Sequence, residues 1–179
     1  SLLTAMNETG IRKLVFSSTC AIYGETTSAP LSEDTPENPT NPYARSKLMV
    51  EHLLRDIVDA DKEWAITALR YFNVAGCSRN GLLGEDHRPE THLIPLVLQT
   101  ALKQRASIDI YGDDYQTRDG TCIRDYIYVE DLIEAHLLAL DNLTAGEVQF
   151  FNLGSENGFT VREVIESVQR VSGQNIPWR

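Results

Sequence analysis

The sequence predicts an α/β fold with a mainly parallel sheet, on three observations. Short apolar runs of strand length alternate along the chain with longer segments of helical period. Loops rich in Pro, Gly, Ser, Thr and Asn separate them. The composition, 42% hydrophobic and 23% charged over 179 residues, is that of one soluble globular domain or of part of a larger one. In order, Leu2 to Thr9 is the end of a helix stopped by Gly10, and Lys13 to Ser17 is a short buried strand. From Glu25 to Pro42 turn chemistry dominates, and a loop of that length is usually functional. Pro42 suits a helix start, and Leu48, Val50, Leu53, Leu54, Ile57 and Val58 form the apolar stripe of a long helix from Ala44 to Asp61. Ala65 to Phe72 is a strand, after which Gly76, Gly81 and Gly84 break a second long loop before a helix from Leu93 to Arg105. Strands are expected at Ile108 to Tyr111 and Ile123 to Val129. A helix follows from Glu130 to Leu143, with Leu132, Ile133, Ala135, Leu138 and Leu140 inward. Val148 to Leu153 is a further strand and Thr160 to Val171 a further helix.

Sixteen Lys and Arg stand against 26 Asp and Glu, a net charge of −10 that opposes nonspecific binding to nucleic acid or to an anionic membrane. The start has no basic region ahead of an apolar core, and no apolar run has the length of a bilayer span, so the expected compartment is the cytoplasm. Cys20, Cys77 and Cys122 are odd in number, far apart and without a C-x-x-C pair; they read as small buried residues in a reducing compartment. The chain opens on Ser1, meets its first Met at Met6 and is already in an apolar run by Leu14, which reads as a piece of something longer.

A doubly wound α/β sheet often binds a dinucleotide through glycines after its first strand. That fingerprint is missing: Gly81 and Gly84 form one G-x-x-G with no third glycine in register, in a loop far from the next helix. If the protein binds a dinucleotide, the phosphate half is expected upstream.

Tyr43 and Lys47 form Y-x-x-x-K at the start of the long helix, an i, i+4 pair on one face. A free tyrosine titrates near about 10, too high for a base at neutral pH, and a fixed ammonium stabilises the phenolate. The pair alone also fits two surface residues. The second feature is the strand-end run Ser17-Ser18-Thr19-Cys20-Ala21-Ile22-Tyr23-Gly24, which places hydroxyls at the C-terminal edge of a parallel sheet, where doubly wound folds bind ligands. Thr19 can hold a substrate alcohol while Tyr43 takes its proton and Lys47 orients a cofactor ribose. Turn capping is the plainer use of such hydroxyls.

Further segments join these: Asn41-Pro42-Tyr43-Ala44-Arg45-Ser46-Lys47, Leu69-Arg70-Tyr71-Phe72-Asn73, Gly84-Glu85-Asp86, Leu93-Ile94-Pro95, Ile110-Tyr111-Gly112-Asp113-Asp114-Tyr115, Asp119-Gly120-Thr121-Cys122-Ile123-Arg124-Asp125-Tyr126-Ile127 and Asn152-Leu153-Gly154. In this order they resemble the extended short-chain dehydrogenase/reductase family, in its NAD-dependent epimerase/dehydratase branch, from Leu14 to about Gly173. The resemblance implies the C-terminal part of a Rossmann-type doubly wound parallel sheet without its first strands, with a small mixed α/β substrate domain. Residues 1–72 and 123–153 would belong to the NAD-binding domain, and 73–122 with 154–179 to an incomplete substrate-binding subdomain.

The implied activity is an isomerase with tightly bound NAD that interconverts UDP-galactose and UDP-glucose through a 4-keto intermediate. Tyr43 would be the base, Thr19 its hydroxyl partner and Lys47 the ribose anchor, with Ser17 and Phe72 lining the cofactor. Arg124 would meet the UDP-hexose diphosphate and Asn73 the diphosphate or sugar. Tyr111 and backbone around Asp109 would hold the uracil. His92, ahead of Leu93, stands where most relatives carry Asn, so its contact is expected and its hydrogen bond open. Sister enzymes that eliminate water need an acid–base pair directly after the strand-end Thr; here Cys20 and Ala21 stand there. Epimerases of UDP-pentoses or UDP-N-acetylhexosamines, a dehydratase or decarboxylase, and an inert fragment are the alternatives. A homodimer through the helix bearing Tyr43 and Lys47 is implied for the full-length protein, and no turnover for these 179 residues alone, which are expected to be poorly soluble. No metal site is expected, because His52, His87, His92 and His136 never reach a ligand spacing. The stretch Glu33-Asp34 to Glu37 reads as a solvated loop, Arg88 as a surface salt link, and Tyr126 and Tyr128 as packing residues.

Overall fold

Strand and helix alternate through most of the chain: α1 (Leu2–Glu8), β1 (Lys13–Thr19), a 3-10 turn (Cys20–Tyr23), α2 (Pro42–Ala60), β2 (Ala65–Tyr71), β3 (Asn73–Ala75), α3 (Leu93–Ala101), β4 (Ile123–Arg124), β5 (Tyr126–Tyr128), α4 (Val129–Asp141), β6 (Val148–Leu153), β7 (Phe159–Thr160) and α5 (Val161–Ser172). The computed structural model describes residues 1–25 and 30–179; residues 26–29, in the loop expected from Glu25 to Pro42, lie outside the described residues. The chain divides into two units, Ser1–Val74 with Val129–Gly154, and Ala75–Tyr128 with Ser155–Arg179.

In the first unit β1, β2 and β6 run parallel in the order β1-β2-β6. Side chains alternate between the faces of a strand, so the register sorts them into rows. On one face Leu14 aligns with Ile66 and Val148, then Phe16 with Ala68 and Phe150, then Ser18 with Arg70 and Asn152. The first rows pack with Val50, Leu54, Ile57 and Val58 of α2, and with Met6 and Trp64. On the opposite face Ser17 Oγ lies 3.4 Å from His136 Nε2 of α4, and the rings of Tyr71 and His136 are 6.2 Å apart. Helices thus cover both faces, the doubly wound arrangement expected.

The third row is polar and buried. Arg70 is 1% exposed and Glu51 of α2 is fully buried. Arg70 donates from Nε to Glu51 Oε1 (3.1 Å) and from Nη2 to Glu51 Oε2 (2.6 Å), a two-pronged pair. Ser18 Oγ donates to Glu51 Oε1 at 2.5 Å. Arg70 also donates to the Tyr23 hydroxyl (2.9 Å) and to Glu37 (2.6 Å), and Tyr23 in turn donates to Asn152 Oδ1 at 2.7 Å. Burial alone would push the Arg70 guanidinium down; its hydrogen bonds to Glu51 and Tyr23 outweigh that and hold it above its ordinary value. Burial raises the Tyr23 phenol. Gly24, at φ +68, lets the chain turn back here, since a Cβ would sit 2.0 Å from the Asn38 carbonyl.

In the second unit α3 and α5 enclose Val97, Ala101, Ile108, Ile165 and Ile176, with Leu93, Leu96, Val161 and Val168 against them. Thr160 and Glu163 form a reciprocal capping box at the start of α5. Glu163 also pairs with Arg118, and Asp119 accepts from Thr160 Oγ1 (2.5 Å) and from the Thr121 backbone (2.8 Å). The Arg118 hydrogen bond, then that from the Thr160 backbone, hold the Glu163 carboxyl down to about 2.

Several expectations are corrected. The run Ile123 to Val129 is not one strand: β4 pairs antiparallel with β7, and Asp125 interrupts it by accepting from Ser155 N–H at 2.9 Å and from Ser155 Oγ at 2.5 Å. Ile108 to Tyr111 contributes a single parallel bridge, Ile108 to Trp178. On α4 only Leu132 is buried; Ile133, Leu138 and Leu140 are exposed, because three described strands give too narrow a floor for that stripe. Cys20 is buried, but Cys77 is exposed and Cys122 half-buried. Glu37 is no solvated acid, since Arg70 and Arg55 both bind it, and Glu33 accepts from the Asn152 N–H at 2.7 Å. Burial opposes the ionised form of Glu37, yet Arg55 and Arg70 hold its carboxyl below the usual range.

Two tests follow. Arg70→Met takes both charged hydrogen bonds from buried Glu51 and leaves it the Arg55 guanidinium at 3.8 Å as its cation, which should cost about 3–5 kcal/mol in a urea melt, with Arg70→Met/Glu51→Leu costing less than Arg70→Met alone. A single-variant loss under about 1 kcal/mol would contradict the pairing. Glu163 titrates lower in the folded chain (about 2) than its ordinary 4.5, so its contribution is complete above 4.5 and fades as pH falls through about 2. The gap in thermal midpoint between the wild-type chain and Glu163→Gln should therefore be full at neutral pH and shrink across that acid window; a constant gap would refute the assignment.

Candidate active site

The site in the first unit is built on the C-terminal end of β1 and the first turns of α2. Asn41 caps α2, its side chain accepting the Ala44 N–H at 2.9 Å, and Pro42 takes the first helical position, where a missing N–H costs nothing. That start carries Tyr43 into solvent, 56% exposed, and turns Lys47 back toward the sheet. Lys47 Nζ donates to the carbonyl oxygen of Ser17 at 2.9 Å and stands 5.1 Å from the Phe16 ring centre and 5.8 Å from that of Tyr43. The ammonium is therefore fixed beside the Tyr43 ring and at the strand end together.

Thr19 is buried, and its Oγ1 accepts the Ala21 N–H at 3.2 Å as cap of the 3-10 turn. Capping uses the oxygen as acceptor and leaves the hydroxyl proton available for donation. Phe72 is half-buried against Cys20, Ile22 and Tyr23, and Asn73 is exposed. The structure thus brings Ser17, Lys47 and Tyr43 together, with Thr19 two residues along the same strand.

The remaining predicted residues lie in the second unit. His92 caps α3 without a side-chain capping bond, and Leu93 enters the α3–α5 core. Asp109 is held by Arg179 (2.7 Å) and Arg105 (3.3 Å), and the Arg179 hydrogen bond lowers its carboxyl. Its side chain is committed to these arginines, and on either side of it the Ile108 and Ile110 N–H groups donate to the Pro177 and Arg179 carbonyls at 2.9 and 2.8 Å. Tyr111 and Arg124 are exposed, and the Arg124 guanidinium donates to the Ile123 carbonyl at 3.2 Å. Sequence reasoning missed Ser18, Glu51 and Arg70 as the supports of α2, and His136 beside Ser17. The available signal was Arg70 itself, a cation inside the apolar run from Ala65 to Phe72, which demands a buried partner.

Residues 1–154 match the NAD dependent epimerase/dehydratase family. The chain belongs to that family. It is 50% identical over 178 residues to the UDP-glucose 4-epimerase of Lacticaseibacillus casei, covering 99% of this chain and 54% of that protein. With the Streptomyces lividans UDP-glucose 4-epimerase it shares 52% identity over 177 residues, again 99% of this chain and 53% of the relative. The crystal structure of the Bifidobacterium longum UDP-glucose 4-epimerase in complex with NAD+ and UDP superposes with a TM-score of 0.94 at 41% identity, over 99% of this chain and 54% of that one. This family member therefore spans about half the length of the curated relatives it matches, and its α/β class is Rossmann-type. Among the described residues no helix is long and apolar enough to cross a membrane.

Proposed function

We propose that this chain carries the catalytic dyad and part of the substrate site of an NAD-dependent UDP-glucose 4-epimerase, which interconverts UDP-galactose and UDP-glucose through a 4-keto sugar. One observation carries the reading: Lys47 Nζ, bound to the Ser17 carbonyl at 2.9 Å, sits beside Tyr43 at the sheet edge where doubly wound folds take ligands. The Tyr43 oxygen accepts the proton of the sugar 4-hydroxyl, and the fixed Lys47 ammonium favours the negative charge that gathers on that oxygen. Thr19 Oγ1 donates to the substrate oxygen, and a second proton of the Lys47 ammonium meets a ribose hydroxyl. NAD, when bound, supplies the acceptor and donor of a hydride; Ser17, Tyr43, Lys47 and Phe72 are the residues here that suit its nicotinamide side.

No strand in this sequence is followed by G-x-x-G-x-x-G, so these residues fit the ribose and nicotinamide and not the phosphates. Turnover is accordingly proposed for the polypeptide in which this chain meets a phosphate cradle, and none for the 179 residues alone. Buried Cys20, its Sγ 3.7 Å from the Arg70 carbonyl, stands where a dehydratase needs an acid, which favours epimerisation over elimination. Asn73 of the first unit and His92, Leu93, the backbone at Asp109, Tyr111 and Arg124 of the second are assigned as the contacts of the UDP-sugar. Exposed Met49 and Leu53 on α2 suit a homodimer, and the acidic chain suits the cytoplasm.

In the active polypeptide, Tyr43→Phe should lower kcat about 10²–10⁴-fold in a coupled UDP-galactose assay while UDP affinity stays within about twofold. Lost UDP affinity with kcat retained would make Tyr43 a binding residue and overturn the reading.

A further inference from the structure

A second cluster of chemically capable side chains lies in the second unit. Glu85, His87, Glu90 and His92 each offer one ligand atom within 4.8 Å of the other three. His92 Nδ1 is 3.0 Å from Glu85 Oε1 and 2.9 Å from Glu90 Oε1, and His87 Nδ1 is 3.9 Å from the same Glu90 oxygen. The imidazoles tilt at 47° with centres 5.4 Å apart. Intervening Asp86 and Arg88 pair with each other in solvent at 3.2 Å, so alternate side chains of this segment separate into an inner ligating set and an outer ion pair. Glu90 is the fixed point: its side chain is 7% exposed, and its Oε1 accepts the N–H groups of Thr91 and His92, both at 2.7 Å.

We propose that these four residues form a site for a divalent first-row transition metal of the zinc type. Two carboxylates with two neutral imidazoles carry a formal charge of −2, which a divalent cation neutralises. Two nitrogen and two oxygen donors suit zinc, whereas calcium and magnesium require about six or more oxygens. Tetrahedral ligands at about 2.1 Å from zinc stand about 3.4 Å from one another. The present spread closes to that by small movements of Glu85, His87 and His92, which are partly exposed, around the anchored Glu90. In the spacing E-x-H-x-x-E-x-H the two histidines alone, five apart, fall outside a ligand spacing, and the two glutamates complete the set. Because His92 begins α3, whose Leu93, Leu96 and Val97 enter the core, the metal would clip the 85–90 segment to a packed helix.

The test is titration of the chelator-treated chain with ZnCl2 alone at neutral pH, followed calorimetrically. One equivalent should bind with micromolar or tighter affinity, and His87→Ala and Glu85→Gln should each weaken it at least about tenfold. Both positions are on a partly exposed loop, and unchanged melting in EDTA will show the variants are folded. Asp86→Asn should bind as the wild type does. Titration with CoCl2 separates this site from exposed Cys77: nitrogen and oxygen donors give visible d–d bands, and a near-ultraviolet thiolate band marks cysteine. Millimolar binding only, unchanged affinity in His87→Ala/Glu85→Gln, or a thiolate band would each overturn the site.

Discussion

A guanidinium and a carboxylate shut away from water hold α2 against its sheet, and the rest of the first unit is arranged around them. Removing two charges from water costs several kcal/mol per ion, which is recovered only with near-complete hydrogen bonding. Arg70 and Glu51 meet that demand with two bonds to each other, then Ser18, Tyr23 and Glu37 take up what remains. Such a pair does little for stability compared with an apolar replacement, but it admits one register. An apolar stripe can slide on a sheet by a fraction of a turn; Glu51 cannot leave Arg70. The positions 43, 47, 51 and 55 are each four apart, so they rise along one stripe of α2 at about 6 Å per step. Glu51 is the buried foot of that stripe, Lys47 meets the Ser17 carbonyl one turn above, and Tyr43 emerges into solvent one turn above that.

The same logic accounts for how the loop between β1 and α2 is used. Glu33 and Glu37 return to the sheet to bind Asn152, Arg70 and Arg55, while the Leu31 carbonyl accepts from Asn152 Nδ2 at 3.1 Å. Gly24 allows the turn, and Leu31, Glu33 and Glu37 lie against the polar row. In the second unit Glu163, Asp119 and Asp109 are likewise bound by Arg118, Thr160 and Arg179. The net charge of −10 thus describes the surface poorly near these sites, because much of the acid is spent on local partners.

What the sequence revealed followed from what is local. The parallel strands at Lys13, Ala65 and Val148 were legible as apolar runs, and α2 as a stripe with a proline start. Tyr43 with Lys47 was legible because four residues is a helical distance. Non-local choices were not. Nothing near Ile123 says that it will pair with β7 while Asp125 turns to Ser155. Nothing on α4 says that Ile133 and Leu138 will stay exposed while Leu132 is covered. Glu37 looks like any loop acid until Arg70 is brought to it, and Glu85 and Glu90 look like surface charge until the loop sets them about His92. Arg70 was the one exception that could have been read, since a cation in the middle of a buried strand must have company.

The Arg70–Glu51 pair locks α2 to β1 and β2 as one body. Native-state amide hydrogen exchange along the chain, measured in increasing denaturant, tests this directly. The amides of Leu54 in α2 and of Phe16 and Leu69 in the strands should exchange with one common free energy and one common denaturant slope, the mark of a single cooperative opening. If the α2 amides near Glu51 open at markedly lower free energy with little denaturant dependence while the strands stay protected, the helix is seated by something weaker, and the placement of Tyr43 and Lys47 loses its foundation.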